Sequence, residues 1–390
     1  MKIIYVGAFR FPYFDAAAAR VLNIGKSFRA AGYDVEYIAM GGCQVESHRQ
    51  KDGNFRYQDF LYTVTNELDC NGGLLDKIMM KITRGNKVLN SLENRELKDS
   101  LVIAYNPQER FLKKLISLSN KKGFKLAVDL TEWYDRNELP ITDWLSYYKC
   151  MTRVMNQVKN KIVISSYLND YYIKSNNIVI PATCDMSDEK WRRCTNNINS
   201  FDGVTLIYAG NPAKKDLVHT VINAVNRLSA KSVAIRFLIL GIIKEDYLRK
   251  YSDKLNSNEL TNNIVFLGKV SQNEVPAYYK HADYMVLLRD NNRKSNAGFP
   301  TKIAEALTAG VPVIANATSD IGKYIKNSVN GYILEDVRSE YVESALNKIC
   351  TSYSKQNISE QKNNALKTGR EAFDYTNYTD GLIRFIQNLS

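Results

Sequence analysis

Residues Asn296 to Asn316 read Asn-Ala-Gly-Phe-Pro-Thr-Lys-Ile-Ala-Glu-Ala-Leu-Thr-Ala-Gly-Val-Pro-Val-Ile-Ala-Asn, an order that leaves few folds open. Proline suits a first helical turn, where its missing N–H would have had no partner, so Phe299-Pro300 starts a helix. Ile303, Ala304, Leu307 and Thr308 then share one face, which packs on a sheet. Gly310 ends the helix, and Pro312 to Ala315 is a short apolar run suited to a parallel strand buried on both faces. Turn, helix, glycine and strand make half of a βαβ unit. Its helix start is the chemically open end: the amides of Gly298, Phe299 and Thr301, with Lys302 beside them, suit a phosphate or a ring of sugar hydroxyls. Glu305, one turn in, is placed to accept hydrogen bonds from a ribose diol. An ordinary surface helix with a capping carboxylate is the competing reading.

The rest of the chain repeats this theme. Ile3 to Val6 is a buried strand, followed by a loop and a helix that starts near Ala16, carries Arg20 and stops at Ala31-Gly32 before the strand Val35 to Met40. The order is βαβ, but no Gly-x-Gly-x-x-Gly follows the first strand, so a dinucleotide dehydrogenase loses its main support. Leu101 to Tyr105 and Leu126 to Asp129 are further strands. The carboxyl end of a parallel strand is the usual ligand crevice, so Asp129 and Glu132 become ligand-site candidates, and Trp133 and Tyr134 offer flat apolar faces beside them. Capping of the following turn by the two acids is the alternative. Residues 186–202 are polar and read as a linker. Val204 to Gly210 restarts the alternation, and Lys214-Lys215-Asp216 precedes a helix to about Leu228. Adjacent lysines at a helix start oppose its dipole, a small penalty that an anionic ligand would remove. Strands at Ile235, Ile264 and Tyr284 follow, the last delivering the chain to Arg289.

With 390 residues, the chain exceeds what one core usually supports, so two domains are expected. No stretch has the length or apolarity of a membrane span, and the N-terminus is too short and β-like for a signal peptide, which suggests a cytoplasmic chain. Six scattered cysteines without a CxxC pair, and three histidines, suggest neither a zinc site nor a disulfide framework. The net charge of +12 suits an anionic donor, an anionic bilayer or nucleic acid, although no nucleic-acid motif is present. From Leu74 to Leu92, Lys77, Lys81, Arg84 and Lys87 lie among apolar residues. Such a segment serves either a core-facing helix or one lying on an anionic membrane.

The stretch around Glu305 resembles the donor-binding signature of retaining GT-B glycosyltransferases of family four, the bacterial cell-surface polysaccharide type. There two glutamates with seven residues between them precede an Ala-x-Gly-x-Pro-Val-Ile tail. Glu305 matches the second; Ala297 stands where the first would be. The resemblance implies an α/β architecture of two Rossmann-like domains facing a cleft. It divides the chain into an acceptor-side domain (1–185), a linker (186–202), a nucleotide-sugar domain (203–370) and a C-terminal helix (371–390) returning to the first domain. It further implies metal-independent transfer with retention, from a nucleotide diphosphate sugar as co-substrate to a saccharide or lipid-linked glycan, with no cofactor. Lys215, Lys302 and Arg289 would then stabilise the leaving diphosphate. Gly210, Lys214, Gly298, Phe299, Thr301 and Glu305 would hold the donor, and Arg20, Asp129, Glu132 and Trp133 would face the acceptor. A non-catalytic module that binds nucleotide sugar or glycan on the same fold is the alternative, motivated by Ala297.

Overall fold

The computed structural model describes residues 1–12, 15–69, 73–195, 198–213, 215–257 and 259–389, the side chains of Leu74, Leu75 and Lys77 excepted. Two units are present. The first comprises Met1–Thr183 and the segment from Tyr375 onward; the second is Cys184–Asp374.

The first unit is built on strands β1 (Lys2–Phe11), β2 (Asp34–Gly42), β3 (Phe55–Tyr57), β4 (Phe60–Val64), β5 (Ser100–Tyr105), β6 (Lys125–Leu130), β7 (Asn160–Val163) and β8 (Asn176–Val179). They form one sheet in the order β3-β4-β2-β1-β5-β6-β7-β8, parallel except for the β3–β4 pair. Helices α1 (Ala16–Ala30), α2 (Leu74–Thr83), α3 (Asn86–Glu93), α4 (Glu109–Lys122), α5 (Ile141–Lys149) and α6 (Ser166–Tyr171) connect them. Asp15 caps α1 by accepting from the Ala18 amide at 2.9 Å, which fixes where that helix starts. Its Val21, Ile24 and Phe28 enter a core with Tyr5, Phe9, Phe11 and Tyr37, and Phe11 stacks on Tyr37 at 4.3 Å.

The second unit carries β9 (Val204–Ala209), β10 (Ile235–Leu240), β11 (Ile264–Gly268), β12 (Tyr284–Leu287), β13 (Val313–Asn316) and β14 (Gly331–Leu334), all parallel, in the order β11-β10-β9-β12-β13-β14. Its helices are α7 (Val218–Ala230), α8 (Lys244–Tyr251), α9 (Val275–Tyr279), α10 (Arg293–Ala297), α11 (Thr301–Thr308), α12 (Ile321–Tyr324), α13 (Ser339–Thr351) and α14 (Lys355–Phe373). The closing helix α15 (Thr379–Gln387) is part of the first unit, where Leu382 and Phe385 join the core and Asn176 Nδ2 donates to the Phe385 carbonyl at 3.1 Å.

Two expectations need correction. Residues 186–202 group with the second unit rather than bridging two bodies: Glu189–Arg192 is a 3₁₀ turn, anchored where Trp191 Nε1 donates to the Asp185 carbonyl at 2.6 Å. A polar stretch can be held by one aromatic anchor. The basic segment from Leu74 is not one amphipathic helix but breaks at Gly85, whose φ is +87° and where a Cβ would lie 2.3 Å from the Phe111 ring. Two of its cations, Lys81 and Lys87, are also engaged within the protein, which weakens their use as a free basic stripe for a membrane. Lys81 pairs with Asp143 at 2.6 Å, Lys87 Nζ donates to the Thr65 carbonyl at 3.1 Å, and Arg84 is half-buried. Lys77's side chain lies outside the described residues.

Candidate functional site

In the second sheet the strand order reverses between β9 and β12, and ligands of open α/β sheets bind outside the strands' carboxyl ends at such a point. The chain leaves β9 through Gly210, whose φ of +126° disfavours a side chain, and a Cβ there would lie 2.7 Å from Lys302 Cε. Gly210 therefore makes the channel along which the Lys302 side chain runs. Helix α11 begins at Thr301, fixed by Phe299, which is buried against Tyr324 and Phe373 with ring centroids 5.5 and 5.7 Å away. The Phe299 side chain is thus an anchor, and only its backbone can face a ligand. Of the three amides expected at this turn, Gly298's is used, donating to the Lys294 carbonyl at 3.3 Å to close α10. Those of Phe299 and Thr301 make no hydrogen bond among the described residues.

Asp216 organises the cations around this turn. Its carboxylate accepts from Arg289 Nε at 2.8 Å and Tyr208 Oη at 2.6 Å, and Lys302 Nζ lies 3.3 Å from its second oxygen and 5.2 Å from the Tyr208 ring centre. Burial opposes the charge on Asp216, but Lys302, Arg289 and the Tyr208 hydroxyl outweigh it and hold its pKa down to about 2. Asn316 completes the frame: its side-chain amide accepts from the Arg289 N–H at 2.9 Å and donates to the Arg289 carbonyl at 2.8 Å. Two cations against one carboxylate leave the cluster a net positive charge. It reaches the surface through the Lys302 side chain, 20% exposed, whereas Arg289 is buried. This corrects the expectation that Arg289 meets the ligand directly: its charge is committed to Asp216. Lys215, beside the cluster, is partly exposed; Lys214 lies outside the described residues.

Glu305 sits one turn into α11 with no hydrogen bond or salt bridge to its carboxylate among the described residues. The residue is partly exposed, yet burial of the carboxyl raises its pKa above the ordinary glutamate value, against the pull of Lys190 and Lys302. A desolvated carboxylate with unused acceptor capacity suits a pair of hydroxyl donors. Ala297, where the first glutamate of the resembled signature would stand, is fully buried. The neighbouring Asn296 Oδ1 accepts from the Ser319 amide at 2.9 Å, tying this turn to the loop after β13.

The acceptor-side expectations fare differently. Arg20 and Asp129 are 4% and 0% exposed and form a bidentate pair at 2.7 and 3.0 Å. Tyr5 Oη donates to the same carboxylate at 2.6 Å, and Arg20 Nη1 donates to the Ile180 and Pro181 carbonyls at 2.9 and 3.1 Å. Four of the five Arg20 N–H groups and both Asp129 oxygens are used inside the unit, so the buried pair is a brace rather than an exposed acceptor contact. Trp133 is buried too, edge-on to Tyr171 with centroids 4.5 Å apart, and has no free face for a sugar. Glu132 remains partly exposed and accepts from Tyr134 Oη at 2.5 Å. The residues missed were Tyr208, Asp216 and Asn316. An acid following two lysines at a helix start was a local signal for Asp216; its partner Arg289, 73 residues on, was not legible locally.

Residues 197–368 match the family model described as Glycosyl transferases group 1. A protein named "Putative colanic acid biosynthesis glycosyltransferase WcaL" from Salmonella typhimurium is 26% identical over 132 residues, 34% of this chain and 32% of the relative. Its namesake from Escherichia coli K12 is 24% identical over the same share. The match thus spans about a third of these relatives' length. Among solved structures, Anabaena HepE in complex with UDP and glucose superposes with a TM-score of 0.71 at 15% identity, covering 100% of both chains. Sucrose-phosphate synthase from Thermosynechococcus elongatus does so with 0.71 at 13% identity, over 99% and 98% of the two chains. Two units, each built on a largely parallel sheet flanked by helices, give the chain the GT-B fold of these structures, and its residues 197–368 match the glycosyl transferases group 1 model.

Proposed function

We propose that the protein transfers a sugar from a nucleotide diphosphate sugar to a saccharide acceptor, which can be lipid-linked, with retention of anomeric configuration, in the synthesis of a surface polysaccharide. The observation that carries this reading is the Lys302–Asp216–Arg289 cluster at the switch point of the second sheet, one helical turn from the Glu305 carboxylate, which has no hydrogen bond or salt bridge among the described residues. A diphosphate fits the cations and the Phe299 and Thr301 amides, and a ribose diol fits Glu305. As the sugar–phosphate bond breaks, negative charge grows on the diphosphate, where preorganised Lys302, Lys215 and helix amides stabilise it without a metal. In a retaining transfer the acceptor oxygen bonds to the anomeric carbon on the face the diphosphate leaves, and a phosphate oxygen takes the acceptor proton. The products are the new glycoside and a nucleoside diphosphate. HepE, solved with UDP and glucose, and WcaL, named for colanic acid biosynthesis, support the substrate classes. The proposed setting is the cytoplasmic face of a membrane, where lipid-linked glycan acceptors are built; among the described residues no helix is long and apolar enough to cross one.

The buried Ala297 favours a second reading, a module that binds nucleotide sugar without turning it over. Incubation with a panel of nucleotide sugars, followed by assay of released nucleotide, separates the two: calorimetric binding without release supports the module. For the enzyme, Glu305→Ala and Lys215→Ala should each lower donor turnover by about 10²-fold, the scale of one lost transition-state or orienting contact. Turnover within a fewfold of wild type in both variants would show the site is misplaced.

Acidification gives an independent check. Because burial raises the Glu305 pKa above the ordinary 4.5, its carboxylate takes up a proton at a pH where a solvent-exposed glutamate is still ionised. Protonation removes acceptor capacity, so affinity for the nucleoside diphosphate should fall as pH drops through that raised value. Glu305→Gln should bind weakly throughout and lack this limb. Calorimetry across pH on both proteins measures it, and parallel profiles would remove Glu305 from the ribose site.

A further inference from the structure

The loop between β9 and α7 is fixed at both ends and held at one point between them. At its start the Gly210 amide donates to the Leu240 carbonyl at 3.1 Å. The backbone there passes so close to Gly241 that a Cβ on that residue would lie 2.4 Å from the Gly210 carbonyl carbon and 2.7 Å from the Asn211 nitrogen. Gly241 is itself at φ +102°, so the close approach and the backbone both require glycine. At the loop's end the Asp216 carboxylate meets Arg289, and the Leu217 amide donates to the Leu288 carbonyl at 2.8 Å. Among the described residues, one hydrogen bond reaches residues 211–213 from another element: Tyr251 Oη donates to the Pro212 carbonyl at 3.0 Å. The turn that follows is local, the Asp216 amide donating to the Ala213 carbonyl at 3.0 Å.

Tyr251 is set in place by a ladder of rings. It is the last residue of α8, and its ring centroid lies 5.0 Å from that of Tyr247, one turn earlier on the same face. Tyr247 is 1% exposed and lies 5.4 Å from Phe266 of β11. The hydroxyl is thus fixed from the edge strand of the sheet, through two rings, and not by the loop itself. Burial and the Asp216 carboxylate both raise the Tyr251 pKa, so the phenol keeps its proton and stays a donor. What the loop carries gives the clamp its consequence. Gly210 walls the channel of Lys302, and the chain runs on directly into Lys215 and Asp216. A loop that sampled several conformations would present Lys215 in several places and would have to be ordered as the diphosphate leaves. A pinned loop is ordered once, on folding.

We propose that Tyr251 is a positioning residue for sugar transfer: by pinning the Pro212 carbonyl it holds the β9–α7 loop in the conformation from which Lys215 meets the departing diphosphate. In this role it acts through the loop and not on substrate. The proposal rests on the transferase reading above, in which Lys215 stabilises the diphosphate.

Tyr251→Phe tests it, since phenylalanine keeps the ring ladder and removes the hydroxyl alone. The loss of one hydrogen bond corresponds to about fivefold. The charge that Lys215 meets grows in the transition state, so kcat for release of nucleotide from a nucleotide sugar should fall about fivefold, with KM changed by less than about twofold. In a Lys215→Ala background the same substitution should cost nothing further, because the group it positions is gone. Two readouts do not need turnover. Tryptic cleavage of the native protein at Lys214-Lys215 should be about fivefold faster in Tyr251→Phe, with other sites cut at wild-type rates. Calorimetric affinity for the tightest-binding of UDP, GDP and ADP should fall about fivefold, because the free diphosphate carries the charge the leaving group acquires. Unchanged cleavage, faster cleavage with kcat and nucleotide affinity both unchanged, or losses that multiply in the Lys215→Ala background each overturn the proposal. If wild type releases nucleotide from no sugar tested, the transferase reading fails, and cleavage and affinity still decide whether Tyr251 positions Lys215; a protein that binds none of the three nucleotides overturns both.

Discussion

Asp129→Ala is expected to cost the first unit about 3–5 kcal/mol, the scale observed when one partner of a buried ion pair is removed. Domains are typically stable by 5–15 kcal/mol, so this is a large part of the whole and should shift the urea midpoint well below that of wild type. The physical reason is what remains behind. Arg20 would keep its charge at 4% exposure with only the Ile180 and Pro181 carbonyls to meet it, and the Tyr5 hydroxyl would lose its acceptor. Asp129→Asn keeps an acceptor for Tyr5 while removing the charge, and should fall between wild type and the alanine variant. Donor binding by folded Asp129→Asn should be unchanged, because every proposed donor contact lies in the second unit. Urea unfolding followed by far-ultraviolet dichroism measures this, and a loss under about 1 kcal/mol for the alanine variant would mean that the pair is not a sealed brace.

The same pair shows where reading a sequence stops. Helix starts, glycine stops and the alternation of strands and helices are local properties, and so α1, α11 and the open amides before Glu305 were legible. Asp129 was rightly placed at a strand's carboxyl end. Whether its carboxylate faces a ligand or the interior depends on Arg20, 109 residues earlier, and on the Tyr5 hydroxyl from a neighbouring part of the sheet. Trp133 is a comparable case, since it is 3% exposed and meets Tyr171 of α6 in a T-shaped contact. The break at Gly85 follows from the Phe111 ring on α4, and the polar run 186–202 is tied down by Arg236 at the Asn199 carbonyl and His281 at the Thr195 carbonyl. Each of these was decided by a distant side chain competing for the same space or charge, which periodicity and capping rules do not register.

Asp216→Asn should reduce turnover by about 10²- to 10³-fold, the range associated with loss of one preorganised electrostatic contact to a transition state. Asparagine preserves shape and can still accept from Tyr208, but it withdraws the charge that holds Arg289 at 2.8 Å and Lys302 at 3.3 Å. In this role Asp216 is a positioning residue: it touches no substrate and acts by placing the Lys302 ammonium over the Gly210 turn. Some stability is also lost, since Arg289 stays buried without its counter-ion. Acid should reproduce that loss in wild type. The Asp216 pKa is lowered to about 2 from 3.8, so its contribution is fully present above about pH 4 and disappears as pH falls through about 2. A purely structural role is separated from positioning by a double-mutant cycle with Lys302→Met, using kcat at saturating donor. If Asp216 acts through Lys302, the double variant should be no slower than Lys302→Met alone, because the lysine it positions is already gone. Losses that multiply would instead mean that Asp216 supports the site by holding Arg289 and the ends of β9 and β12 together, with Lys302 finding the diphosphate unaided.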